Sequence, residues 1–170
     1  MNRTTENRAE YLSLDDLSLG QVFRSGSFHL DDSQIKSFAR EYDPQPFHLD
    51  DQSAGESFFG GLVASGWHTA AITMRLLVTS MPILGGIVGA GGEITWPRPT
   101  KPGDTLHVES EVLEIKPSRS RPDRGLVTVR SVTLNQEGQP VQILVSRLVV
   151  PRRQAAQAPI REDNHGDQLS

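Results

Sequence analysis

The sequence predicts an α+β domain in which one long, almost wholly apolar helix is wrapped by a curved antiparallel sheet. Two observations lead there. The stretch "GLVASGWHTAAITMRLLVTSM" at 61–81 opens on glycines and carries Ala70, Ala71, Met74, Leu76, Leu77 and Val78 around most of its circumference. That pattern marks a helix buried on nearly all sides. Four strand-like runs follow it with no further helix, so helical and strand segments are segregated along the chain rather than alternating.

Taken in order, residues 1–12 are polar and are expected to be a flexible lead into a single domain over 13–151. "QVFRSGSFHL" at 21–30 alternates enough to form a first strand. "DDSQIKSFAREYD" reads as a short helix, with Asp31 as N-cap, Gln34 completing a capping box, and Ile35, Phe38 and Ala39 as its apolar stripe. Pro44 ends it, because the residue before a proline is pushed out of the helical region. Residues 47–59 read as a loop with one short helical turn.

Beyond the long helix, strands are expected at 86–96, 104–116, 125–135 and 140–150, divided by the turn signals "PRPTKPGD", "PSRSRPDRG" and "NQEGQP". Leu106, Val108 and Val112 alternate with polar residues, whereas Val127, Val129 and Val132 are only roughly in phase, which predicts a bulge. "RRQAAQAPIREDNHGDQLS" at 152–170 has the composition of a disordered tail. A helix apolar all round leaves surface that one sheet cannot cover, so a homodimer or higher homo-oligomer is expected.

Bulk properties narrow the function. A chain of 170 residues with 36% hydrophobic content supports one domain with a sizeable core. Its net charge of −4 gives no reason to expect a nucleic-acid partner. With no cysteine, disulfides and thiolate metal sites are excluded and a reducing compartment is suitable. No signal-peptide core opens the chain and no run of about 18 apolar residues occurs, so a cytoplasmic protein without membrane association is the expectation.

Several motifs fail on inspection. In "GGIVGAGG" at 85–92, taking Gly89 and Gly91 as the start of a dinucleotide fingerprint puts Ile94 where the last glycine belongs. Those glycines instead suggest close approach of a strand edge or a bulge. Ser65 in "VASGW" lacks the nucleophile-elbow pattern. His48, Asp50 and Asp51 are conceivable metal ligands, but His68 lies far along the chain and an adjacent aspartate pair is usually solvated, so no metal is expected. The hairpin cations Lys116, Arg119, Arg121 and Arg124 form either a solvated loop or an anchor for an anionic tail. His29 and His107 read as strand residues, and His165 belongs to the tail.

The sequence "REYDPQPFHLDD" at 40–51 fixes Asp43 and His48 on a stiff segment with prolines at 44 and 46. Two readings fit it: a helix end running into a charged surface loop, or a rigid platform holding an acid and a base at one reacting centre. In "YDPQPFHLDD", in "ASGW" at 64–67 and in "WPRPTKPGDTLHVESEVLEI", the chain resembles the MaoC-like acyl dehydratases over roughly 20–150. This hot-dog-fold family includes (R)-specific enoyl-CoA hydratases. Gln45 stands where the family usually has asparagine, and Ser65 where it has histidine.

The resemblance implies a hydratase or dehydratase acting at C2–C3 of an enoyl or 3-hydroxyacyl thioester, on CoA or a carrier protein, without a cofactor. It implies that Asp43 and His48 activate water and that the Gly66 N–H, at the start of the long helix, stabilises the thioester oxyanion. Ser65, Trp67 and His68 are expected around the substrate, His68 as a core or pocket-wall histidine rather than a reacting group, with Arg119 and Arg121 as its anion anchor. A hot-dog thioesterase and a non-catalytic acyl-thioester-binding or structural subunit remain alternatives.

Overall fold

The computed structural model describes residues 11–153. Most of the flexible lead and of the tail expected from sequence, His165 included, therefore lies outside the described residues. At the two margins the chain is tied down. Leu12 bridges to Ile83, while Arg152 and Arg153 pair with Asp15 and Asp16 of a 3₁₀ turn at Leu14–Asp16.

The sheet is antiparallel, with β1 (Val22–Arg24), β2 (Phe28–His29), β3 (Val88–Thr95), β4 (Thr105–Pro117), β5 (Arg124–Leu134) and β6 (Pro140–Pro151). Its order is β1-β4-β5-β6-β3, and β2 also pairs with β4. The single first strand read from sequence is thus two short ones. Ser25 lies between them; its backbone N–H donates to Val108 O and its hydroxyl accepts from Val108 N–H, which interrupts the ladder while holding the segment to β4.

Among the described residues four α-helices occur: α1 (Asp32–Tyr42), α2 (Pro46–Leu49), α3 (Asp51–Gly55) and α4 (Gly66–Ser80). In α1, Asp31 caps Gln34 N–H and Gln34 reaches back to Asp31 N–H, so both halves of the capping box form. The expected loop at 47–59 contains most of α2 and all of α3, divided at Asp50, whose carboxylate caps α3 at Ser53 N–H.

α4 is shorter than the apolar run, because 61–65 stays outside the helix and Ser65 caps it. The sheet takes one face, burying His68, Thr69, Ile72, Thr73, Leu76 and Leu77 at helical spacing. Trp67, Ala71, Met74 and Val78 remain exposed on another, so within one chain the helix is not buried on nearly all sides. The core joins α4 to Leu30 and Ile35 on one side and to Leu106, Val108 and Val141 of the sheet. This is the hot-dog arrangement, a curved sheet around one long helix. Among the described residues no helix is long and apolar enough to cross a membrane.

The irregularities in the sheet explain two sequence patterns. β5 alternates without a break from Gly125 to Thr133, so Ser131 and Thr133 face inward and Val132 turns outward. The extra residue lies on β4, where the register shifts between Val112 and Glu114. On β3 the register shifts between Gly89 and Gly92, and a Cβ on Gly92 would sit 2.6 Å from Val145 O. The glycine run is therefore a bulge pressed against β6.

Candidate active site

Two prolines shape the segment that carries the acid and the imidazole. Pro44 stops α1 with Asp43 as its C-cap, and Pro46 opens α2 at its first position, where a missing N–H costs nothing. The chain turns back within these residues, with Gln45 N–H donating to Asp43 O and His48 N–H to Gln45 O. The result faces Asp43 Oδ2 toward His48 Nε2 at 3.4 Å.

Each partner is held from behind. His48 is buried, and its Nδ1 lies 2.7 Å from Val63 O. A carbonyl oxygen only accepts, so Nδ1 carries the proton and, in the neutral ring, Nε2 offers its lone pair toward Asp43. Gln45 Nε2 donates to Asp43 Oδ1 at 2.7 Å. Ser65 accepts from Trp67 N–H with its side-chain oxygen and gives its own hydrogen to the Asp43 carboxylate. Burial alone would raise the Asp43 carboxyl; the bonds from Ser65 and Gln45 and the nearby His48 outweigh it, and the group lies below the usual 3.8. Asp43 is thus a carboxylate at neutral pH, able to accept a proton.

A cleft of about 460 Å³ opens over this pair. One wall is Val63, Ala64 and the start of α4 at Gly66, a second is Phe47, Phe58 and Phe59, and a third is the 96–100 segment. Ala64 N–H donates to Thr100 O, and the Thr69 hydroxyl donates to that of Thr100, which ties the helix opening to the third wall. As the first residue of α4, Gly66 has an N–H without an intrahelical acceptor. The indole of Trp96 lies so close that a Cβ on Gly66 would stand 2.8 Å from its Cε2. An acid–base pair, a helix N-terminus and an aromatic lining therefore meet in one apolar cleft.

A family model described as the MaoC like domain matches residues 17–135. The chain belongs to the MaoC-like family. A solved structure of the MaoC-like dehydratase from Rhodospirillum rubrum is 59% identical, with a TM-score of 0.83, covering 85% of this chain and 99% of that one. The protein YdeM of Bacillus subtilis, whose name carries no activity, is 36% identical over 74% of this chain and 89% of its own. A 3-hydroxybutyryl-CoA dehydratase of Methylorubrum extorquens is 28% identical over 65% of this chain and 69% of its own.

In this MaoC-like chain the residues expected at the site are not all brought together. Asp43, His48, Gly66 and Trp67 border the cleft, and Ser65 touches it through Asp43. His68 does not: it turns into the core and stacks on Phe38 with ring centroids 4.4 Å apart. Arg119 and Arg121 sit in the β4–β5 turn, separated from the cleft-side start of β4 by roughly 40 Å of strand at about 3.3 Å per residue. The cation on the cleft wall is Arg98. Sequence reading also missed Trp96, Phe58 and Phe59. The pair "FF" at 58–59, with Phe58 98% exposed, was a legible signal, since adjacent surface phenylalanines are unusual without a ligand or partner. Asp50 and Asp51 serve the helices, one as a cap and the other paired with Lys36.

Proposed function

We propose that the protein adds water to, or removes it from, the C2–C3 bond of an enoyl or 3-hydroxyacyl thioester carried on CoA. The observation that carries this reading is the Asp43–His48 pair, whose facing oxygen and nitrogen stand 3.4 Å apart at the rim of an apolar cleft, where one water on the cleft side can touch both. A water there donates one hydrogen to Asp43 and the other to His48 Nε2, which leaves its oxygen lone pair for C3. Asp43 takes a proton as the C3–O bond forms, and the electrons of the double bond move onto the thioester oxygen. The Gly66 N–H and the positive end of α4 meet that developing charge. The proton held by Asp43 then returns to C2, so hydroxyl and hydrogen are both accounted for.

The named activity of the Methylorubrum relative supports CoA as the carrier, and Arg98 on the cleft wall suits a phosphate of that carrier. We further propose that a second copy of the chain covers the exposed face of α4 and the free edge of β3.

Crotonyl-CoA tests the reading. Hydration removes its enoyl absorbance without releasing thiol, whereas thiol release would mark a thioesterase. Asp43→Asn and His48→Ala are each expected to cut hydration by at least about 10²-fold while circular dichroism stays unchanged. Wild-type turnover in both variants, across a panel of enoyl-CoAs, would sink the assignment.

A further inference from the structure

We propose that the groove alongside α4 takes an acyl chain bearing a neutral oxygen acceptor, and that the Gln142 amide selects it. This deepens the thioester reading above and rests on it.

Gln142 is 0% exposed, on the inward face of β6. The Trp96 indole N–H donates to its Oε1 at 2.9 Å. An indole nitrogen can only donate, so the amide cannot be flipped: oxygen faces Trp96 and the NH₂ faces away. That NH₂ group, buried as it is, has no hydrogen-bond partner among the described residues. A buried donor without an acceptor is rare in folded proteins and calls for an explanation.

The surroundings supply one. Gln142 borders a second groove, of about 360 Å³, between α4 and the β3–β6 side of the sheet. The groove follows Trp67, Ala70, Met74 and Leu77 along the helix, starting at Trp67, which also borders the cleft over Asp43 and His48. Trp96 connects the two spaces, packing on Gly66 at one edge and holding Gln142 at the other. An acyl chain lying in that groove runs alongside Gln142. Among the described residues no charged side chain borders the groove, so none of them would neutralise a carboxylate there. The acceptor that fits an uncharged amide donor is an ether, keto or hydroxyl oxygen. A site with an unpaired donor also discriminates against the plain alkyl chain, because that chain excludes water without replacing its hydrogen bond.

Calorimetric binding of saturated, unreactive thioesters tests this independently of turnover. Heptanoyl-CoA is compared with its 4-oxa, 5-oxa and 6-oxa analogues, which exchange one methylene for oxygen at fixed length. At least one analogue is expected to bind wild type tenfold or more tightly than heptanoyl-CoA. Gln142→Met, of similar volume without the donor, is expected to erase that advantage, so that heptanoyl-CoA and its oxa analogues bind the variant alike. Equal or weaker binding of every analogue to wild type overturns the proposal, even if crotonyl-CoA is hydrated. A retained preference without hydration removes the hydratase reading and leaves the groove's selectivity standing. Binding of none of these thioesters overturns both. Should Gln142→Met fail to fold, the wild-type ratio alone decides.

Discussion

His48 and His68 show how one residue type takes two roles through its neighbours. His48 has a carbonyl behind one nitrogen and a carboxylate before the other. His68 has a phenyl ring against its face and an Nδ1 without a partner among the described residues. Burial accordingly pushes the His68 ring below the ordinary 6.5. Because its folded pKa lies below its unfolded one, protons bind the unfolded chain first. The stability His68 contributes is whole above pH 6.5 and is lost as pH falls from there toward the folded value. Thermal melts should therefore show Tm decreasing between pH 7.5 and 5. His68→Phe, which keeps the stack on Phe38 and cannot titrate, should flatten that slope. An unchanged slope in the variant would refute the assignment to His68.

At the scale of elements, the start of α4 matters most. Replacing a glycine by alanine within a helix ordinarily stabilises it by up to about 1 kcal/mol. At Gly66 the sign should reverse, because the new methyl would stand 2.8 Å from the Trp96 indole. Moving that ring breaks its bond to Gln142, and overpacking typically costs about 1–3 kcal/mol. Gly66→Ala is expected to lower Tm by several degrees and to reduce crotonyl-CoA hydration, measured by melts and initial rates. A variant as stable and active as wild type would show that the close packing has no consequence.

The same region marks how far the sequence could be read. Asp43 and His48 were legible because both lie on one local segment whose shape two prolines determine. The capping box of α1 and the four long strands were legible for similar reasons, as local pattern sets them. Trp96, Arg98 and Gln142 were not, since strand register and the crossing of β3 over to β6 bring them to the cleft or its neighbouring groove. For His68 the sequence left core and pocket wall both open; it lies in the core because a one-residue step along a helix turns a side chain by about 100° from the cleft side at Trp67. Two short helices were read as a loop with one helical turn because runs of four and five residues hold too few turns to show a period.

For the whole molecule, the exposed surface is the informative part. Trp67, Ala71, Met74 and Val78 fall at i, i+4, i+7 and i+11, one stripe along α4, with Met74 43% and Val78 56% exposed. Beside it, among the described residues, β3 pairs only with β6, leaving a nearly bare eight-residue edge. A long uncovered edge next to an apolar stripe favours pairing with another chain. The proposed homodimer would join the two β3 edges and close the open side of the groove along α4. A stable interface of this kind buries at least about 1,000 Å² in total, so light scattering at micromolar concentration should return twice the chain mass. Met74→Glu combined with Val78→Lys puts charge into the stripe without touching Asp43 or His48. That variant should run as a monomer, melt lower and lose affinity for longer acyl chains, since the groove would stay open to water. A wild-type monomer in the same measurement would exclude the second copy as the cover, whatever the enzyme assays show.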